Sequence, residues 1–268
     1  MNNKYTFILL ALICAAPLAF SEDWSSLFRD AISRDRAVQD AAREKGLKEI
    51  VPRLMREDAP ALVKDLEGIT DEFANSNNEI RLQASAVVTT LAMLRPDGSV
   101  TLRKIIPELI PLLRDSYPRV RRNAATALSS LKPDIPVEAK APLIAALKDS
   151  DHTVVWAAVY GVARFAAADP NAAVAVDQLL NDPNPQTQMA AVGAMAAVRF
   201  ADPAVVNALI QHLQSSDDLY VNTALRAARE LGPAVIKKLE PQIREVARSN
   251  KDPHLSATAA DLLSQAEP

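Results

Sequence analysis

The 268-residue chain has one cysteine, three histidines, six glycines and twelve aromatic residues. So few Cys and His leave little for a metal centre or for thiol chemistry. Six glycines argue against nucleotide folds that rely on glycine-rich phosphate loops. The G-x-S-x-G turn that presents a serine nucleophile is absent. Excess positive charge is also lacking. Thirty Lys+Arg face 33 Asp+Glu for a net charge of −3, which disfavours the basic face that nucleic-acid binding needs. What remains is 49% hydrophobic and 24% charged, which excludes a disordered tail and a multispanning membrane protein.

The one long apolar run is N-terminal. Lys4 precedes a run from Tyr5 to Ala16, and Ala19-Phe20-Ser21 places small residues at the −3 and −1 positions before Glu22. This is the pattern of a secretory signal over 1–21. The run is shorter than the ~20 apolar residues of a membrane-spanning helix, although an uncleaved N-terminal anchor is the alternative. Cys14 lies inside it and follows Ile13, where a lipoprotein signal wants a small residue. Cleavage after Ser21 removes the cysteine and Lys4, leaving a thiol-free chain of net charge −4 that an oxidising compartment does not trouble.

The rest of the chain repeats. Ala84, Ala124, Ala158, Ala191, Ala224 and Ala259 form a column spaced by 40, 34, 33, 33 and 35 residues. Four residues earlier stands a second column: Ile80, Val120, Val154, Thr187, Tyr220 and Leu255. Nine residues earlier stands a third: Asn75, Asp115, Asp149, Asp182, Ser215 and Asn250. The third column supplies short polar side chains that turn the backbone and cap a helix. The other two share one helical face, with alanine allowing a second helix to come close. A first helix precedes each loop, as in Leu102–Leu113, Ala139–Leu147, Ala172–Leu180 and Val205–Leu213, with prolines at the joints. Pro107 and Pro111 fall inside the Leu102–Leu113 segment, so that helix bends or begins later.

The pattern D-x-x-x-x-V-R-x-x-A-x-x-A-L, complete at Asp115–Leu128, resembles the HEAT repeat over roughly residues 58–266. The resemblance implies an all-α, right-handed solenoid of about six helix pairs over 58–268. Residues 22–57 fit the pattern poorly but keep helical apolar spacing, as expected of an N-terminal helical cap. In HEAT proteins the arginine of the V-R pair often joins neighbouring loops. It is present here at Arg81 and Arg121 and replaced by Val155, Gln188, Val221 and Ser256, so the later repeats must close differently.

Nothing in this array suggests catalysis, a metal or a cofactor. His152 and His254 fall in inter-helix turns and His212 near the end of a first helix, which reads as three solvated side chains. Asp149/Asp151 and Asp217-Asp218 read as loop acids. Enzymes such as some bilin lyases do use HEAT-like repeats, so a lyase-like activity stands as a third reading.

Binding is the leading reading. On the fullest second helix, Val120, Ala124, Ala127, Leu128 and Leu131 define the buried side, and Arg122, Thr126 and Ser129 point away from it. In a solenoid that opposite side lines the concave surface. The equivalent rows are Leu82, Arg122, Trp156, Met189, Asn222 and Ala257, then Ala86, Thr126, Tyr160, Gly193, Arg226 and Asp261. Trp, Tyr, Met and Arg are residues that dominate interface energetics, so Arg122, Trp156, Tyr160, Met189 and Arg226 are the expected partner-binding residues. The competing reading has Trp156 packed between helices. Arg119, Arg121 and Arg122 are either a solvated basic cluster or an anchor for an acidic segment of a partner. The expected function is an exported, periplasmic or secreted, non-enzymatic scaffold for a protein or peptide, with no nucleic-acid partner and no membrane insertion after cleavage. The alternative is an accessory subunit of a cell-envelope complex.

Overall fold

The computed structural model describes residues 24–45, 59–94, 101–131, 134–198 and 201–266. The signal segment and part of the cap lie outside them. The described residues hold fifteen α-helices and no strand. The first two are α1 (Trp24–Ala31) and α2 (Arg36–Lys45). Six pairs follow: α3 (Ala59–Asp71) with α4 (Asn78–Leu94), α5 (Ile106–Leu112) with α6 (Pro118–Ser130), and α7 (Val137–Ala146) with α8 (His152–Ala166). Next come α9 (Pro170–Leu180) with α10 (Pro185–Ala197), and α11 (Pro203–Leu213) with α12 (Asp218–Leu231). The last pair divides its first helix into α13 (Pro233–Lys238) and α14 (Glu240–Ser249), ahead of α15 (Pro253–Ala266).

Residues 1–161 and 162–268 form two compact units, divided inside helix α8 rather than in a linker. In the first, α4 packs on α6, and α6 on α5 and α7. In the second, α10 packs on α9 and α12, α12 on α11, and α14 on α15. The expected helix over Leu102–Leu113 does begin later. A 3-10 turn, Arg103–Ile105, precedes α5, which takes Pro107 in its first turn, where a missing N–H costs nothing.

The alanine column is the tightest part of the packing: Ala84, Ala124, Ala158, Ala191, Ala224 and Ala259 are all 0% exposed. Close approach recurs at Gly161, where an added Cβ would lie 2.3 Å from Ser129 Oγ and 3.1 Å from Ser129 Cα. Ser129 Oγ donates to Ala157 O at 3.0 Å, as Thr89 Oγ1 donates to Asn123 O at 2.9 Å one repeat earlier. Ser129 was expected on the open face. It sits instead on the seam between α6 and α8, because its hydroxyl has a backbone carbonyl to bond there.

The polar column sets the turns. Asn75, Asp115, Asp149, Asp182, Ser215 and Asn250 each accept the backbone N–H two residues on, at 2.7 to 3.1 Å. In five loops the residue reached repeats the move. Asn77, Asp151, Asn184, Asp217 and Asp252 accept from Glu79, Thr153, Gln186, Leu219 and His254 and so cap the second helix. The exception is Tyr117, which is followed by Pro118 in the first turn of α6. Asp149/Asp151 and Asp217 are thus loop acids, as their positions suggest.

The two arginines then tie loop to loop. Arg81 donates to both carboxylate oxygens of Asp115 at 2.7 and 2.8 Å, and to its own loop at Asn75 O, 2.8 Å. Arg121 treats Asp149 and Asp115 O in the same way. Burial pushes the Asp115 carboxyl up. The hydrogen bond from Arg81 and the Tyr117 N–H outweigh it and hold the group below its ordinary range. Where arginine is replaced, half of its task survives. Gln188 Nε2 donates to Asp182 O at 2.7 Å and Ser256 Oγ to Asn250 O at 3.1 Å. Val155 and Val221 can do neither.

The Arg121–Asp149 side chains are only 13% and 10% exposed, and leaving one charge of such a pair uncompensated costs about 3–5 kcal/mol. Asp149→Ala is therefore expected to lower the unfolding free energy by about 3 kcal/mol in urea denaturation. Arg244→Ala, which breaks the exposed pair with Glu240, should cost about 0.5 kcal/mol or less. Equal losses in the two variants would refute the ladder's structural role.

Candidate partner-binding face

The surface of interest is the side of each second helix turned away from its alanine column. In the first unit it carries Arg122 and Thr126 on α6 and Trp156 and Tyr160 on α8. Trp156 is 51% exposed and is the only aromatic among the large apolar side chains left open in the described residues. Its ring meets that of Tyr160 edge-on, with centroids 5.2 Å apart at 64°. A residue four positions along the helix is where such a pair can form. Trp156 therefore lies in the open row of α8, with about half of its surface exposed.

Arg122 is half-buried. Its guanidinium makes no hydrogen bond or ion pair among the described residues. Burial and the charge of Arg119 both push it below the ordinary arginine value, with Asp151 opposing them. Arg121 points elsewhere, committed to Asp149. The basic cluster of the sequence is thus one structural arginine and two others. Arg119 is exposed and reaches the Tyr117 hydroxyl, which itself donates to Glu79.

In the second unit the equivalent positions are open as expected. Met189 is half-buried, while Asn222, Arg226, Ala257 and Asp261 are exposed. Asp261 receives Arg229 at 2.8 Å in an exposed pair. The first repeat differs from all the others. Leu82, Ala86 and Thr90 occupy the inner positions of α4 and are buried. Helix α1 packs against α4, and Phe28 on α1 is 1% exposed.

The histidines split. His152 opens α8 and is exposed, as is His254. His212 was expected to be solvated but is 4% exposed, and its ring sits edge-on to Tyr220 at 4.6 Å. Neither ring nitrogen has a hydrogen-bond partner. The second apolar column explains this: Tyr220 stands where the other repeats have aliphatic residues or threonine, and it roofs the end of α11. Among the described residues no group of three or more His, Cys, Asp and Glu is placed to hold a metal. A cleft between α11 and α14, lined by Leu213, Gln214, Pro241, Gln242 and Glu245, measures about 170 Å³, below the ~300 Å³ at which small-molecule sites begin.

Helices paired through short polar turns, with a regular core and an open inner row, define an α-solenoid repeat protein. The sequence profile of HEAT repeats matches residues 67–163, 140–228 and 172–245, and the chain belongs to the HEAT-repeat family. Comparison with curated proteins finds no significant match. Among solved structures, Escherichia coli YibA is similar at 16% identity and a TM-score of 0.60, covering 99% of this chain and 98% of that one. A computationally designed armadillo repeat protein for modular peptide recognition aligns at 17% identity and TM-score 0.51, over 75% of this chain and 100% of that one. Kap121p bound to Ste12p aligns at 16% identity and TM-score 0.62, over 92% of this chain and 27% of that one. At such identities the likeness shows the fold.

Burial pushes the His212 pKa below its ordinary value of 6.5, so the folded chain takes up that proton less readily than the unfolded chain. The unfolded chain takes up that proton as pH falls through about 6.5. The stability His212 contributes is therefore complete above that pH and is lost on acidification. His212→Leu should flatten the fall in unfolding free energy between pH 7.5 and 5, measured by urea denaturation. An unchanged pH slope would mean that His212 is not its source.

Proposed function

We propose that this protein is an exported, non-enzymatic scaffold that binds a protein or peptide on the inner face of its second helices. One observation carries the reading: Trp156, half-exposed and edge-on to Tyr160, is the one large aromatic side chain in its row. An aromatic left in water on a rigid helix forfeits the free energy of burial and supplies the anchor that interfaces use. Arg122, Met189 and Arg226 are further members of the proposed surface. Among the structural neighbours, one is an armadillo repeat protein designed for modular peptide recognition and another is Kap121p bound to Ste12p, which supports a binding role. The reading needs no cofactor. Among the described residues no helix is long and apolar enough to cross a membrane.

Site-specific cross-linking from position 156 in the native cell, followed by mass spectrometry, identifies the partner. Trp156→Ala should abolish capture while moving the thermal midpoint by less than about 2 °C, since exposed substitutions cost ~0.5 kcal/mol or less. A large drop in the midpoint would make Trp156 a packing residue. Cross-links confined to exposed first-helix residues such as Val137 or Val174 would favour the accessory-subunit role. Export has a separate test: the mature protein should begin at Glu22, as read by intact mass, and a chain retaining Met1 in the cytoplasm would refute it.

A further inference from the structure

The inner row differs between the first repeat and the two that follow. On α4 the positions equivalent to Arg122 and Thr126, and to Trp156 and Tyr160, are Leu82 and Ala86. They are buried. Helix α1 packs on α4 alongside α3 and α6. Its sequence places Trp24, Leu27, Phe28 and Ala31 at i, i+3, i+4 and i+7, the spacing with which an amphipathic helix lies in an apolar groove. Phe28 and Ala31 are buried. On the next two second helices Trp156 is exposed at the equivalent position, and Arg122, Thr126 and Tyr160 are half-buried.

The uncovered stretch also carries charge. Arg122 is half-buried and unpaired, and Arg119 beside it adds repulsion of the same sign. Glu79 meets Tyr117 and Asp151 caps α8, so the nearby acids already have tasks. A carboxylate brought by another molecule would relieve both arginines at once. Trp156 and Tyr160, one repeat further on, offer apolar surface next to it.

We propose that the inner row from Arg119 to Tyr160 takes an acidic amphipathic helix of a partner protein, with apolar residues on Trp156 and Tyr160 and carboxylates on Arg122 and Arg119. The assignment rests on the inner-face reading above and adds the chemistry of the partner. It differs from a second copy of this chain, because α1 carries Arg29 beside Asp30 and no run of acids.

The test uses the full chain and three synthetic peptides. One has leucine at i, i+3, i+4 and i+7 with glutamate and alanine elsewhere. The second replaces every glutamate by lysine. The third is residues 22–45 of this chain. Binding is read by calorimetry and by tryptophan fluorescence at low and raised ionic strength. The acidic peptide should bind at least about tenfold more tightly than the lysine peptide and weaken with salt. Arg122→Gln and Trp156→Ala should each weaken it about tenfold or more. Arg244→Gln, outside the row, should leave it unchanged, and circular dichroism confirms that each variant is folded. Equal binding of both synthetic peptides, no binding of the acidic one, or full affinity in Arg122→Gln overturns the proposal. Tighter binding of the 22–45 peptide overturns it in favour of a second copy. If cross-linking from position 156 captures a partner segment without carboxylates, the proposal falls and the inner-face reading stands. If capture at the inner face fails, both fall.

Discussion

Reversing the chain within a few residues strands backbone N–H groups that neither flanking helix can satisfy. In this protein a side-chain oxygen two residues back satisfies them, in all six pairs. The rest of the architecture depends on that short bond. It fixes how the second helix leaves the turn, and so which face presents the alanine column to its partner. Because those alanines are fully enclosed, a small rotation at the turn would drive Cβ atoms into backbone, and the packing permits little of it. Arg81 and Arg121 extend the constraint by holding a loop carbonyl and the following loop's carboxylate with one planar group.

With one face of each second helix committed to its neighbours, the opposite face is left for solvent or for other molecules. Its residues stand outside the alanine seam, so they vary in chemistry without disturbing it. Arg122, Trp156, Met189, Asn222 and Ala257 show the range. Binding specificity in such an array is a list of side chains on a fixed frame.

How much of this was legible depended on whether a feature repeats. The three columns could be found because identical physical demands recur at intervals of 33 to 40 residues. Their burial and bonding followed as expected, and so did Trp156's place in the open row. Features that occur once were not legible. The burial of Leu82 and Ala86 breaks the pattern of their row, and nothing in the three columns marks it. His212 reads as a solvated helix-end residue until Tyr220, a local exception in the apolar column, is seen to cover it. Ser129 is separated from the open face only by where a carbonyl of α8 happens to fall. The unpaired state of Arg122 required knowing that Arg121, its neighbour in sequence, takes Asp149.

The doubled turn also governs where the chain can change length. From the polar residue of the loop to the buried alanine there are nine residues in every repeat, from Asn75–Ala84 to Asn250–Ala259. From that alanine to the next loop residue the interval runs from 24 to 31. An inserted residue on the first side would move an oxygen off its N–H and an alanine off its seat together. On the second side it only lengthens a helix end or a connection. Insertions and deletions are thus confined to one half of each repeat, and the array grows or shrinks there without altering the spacing of the face it presents.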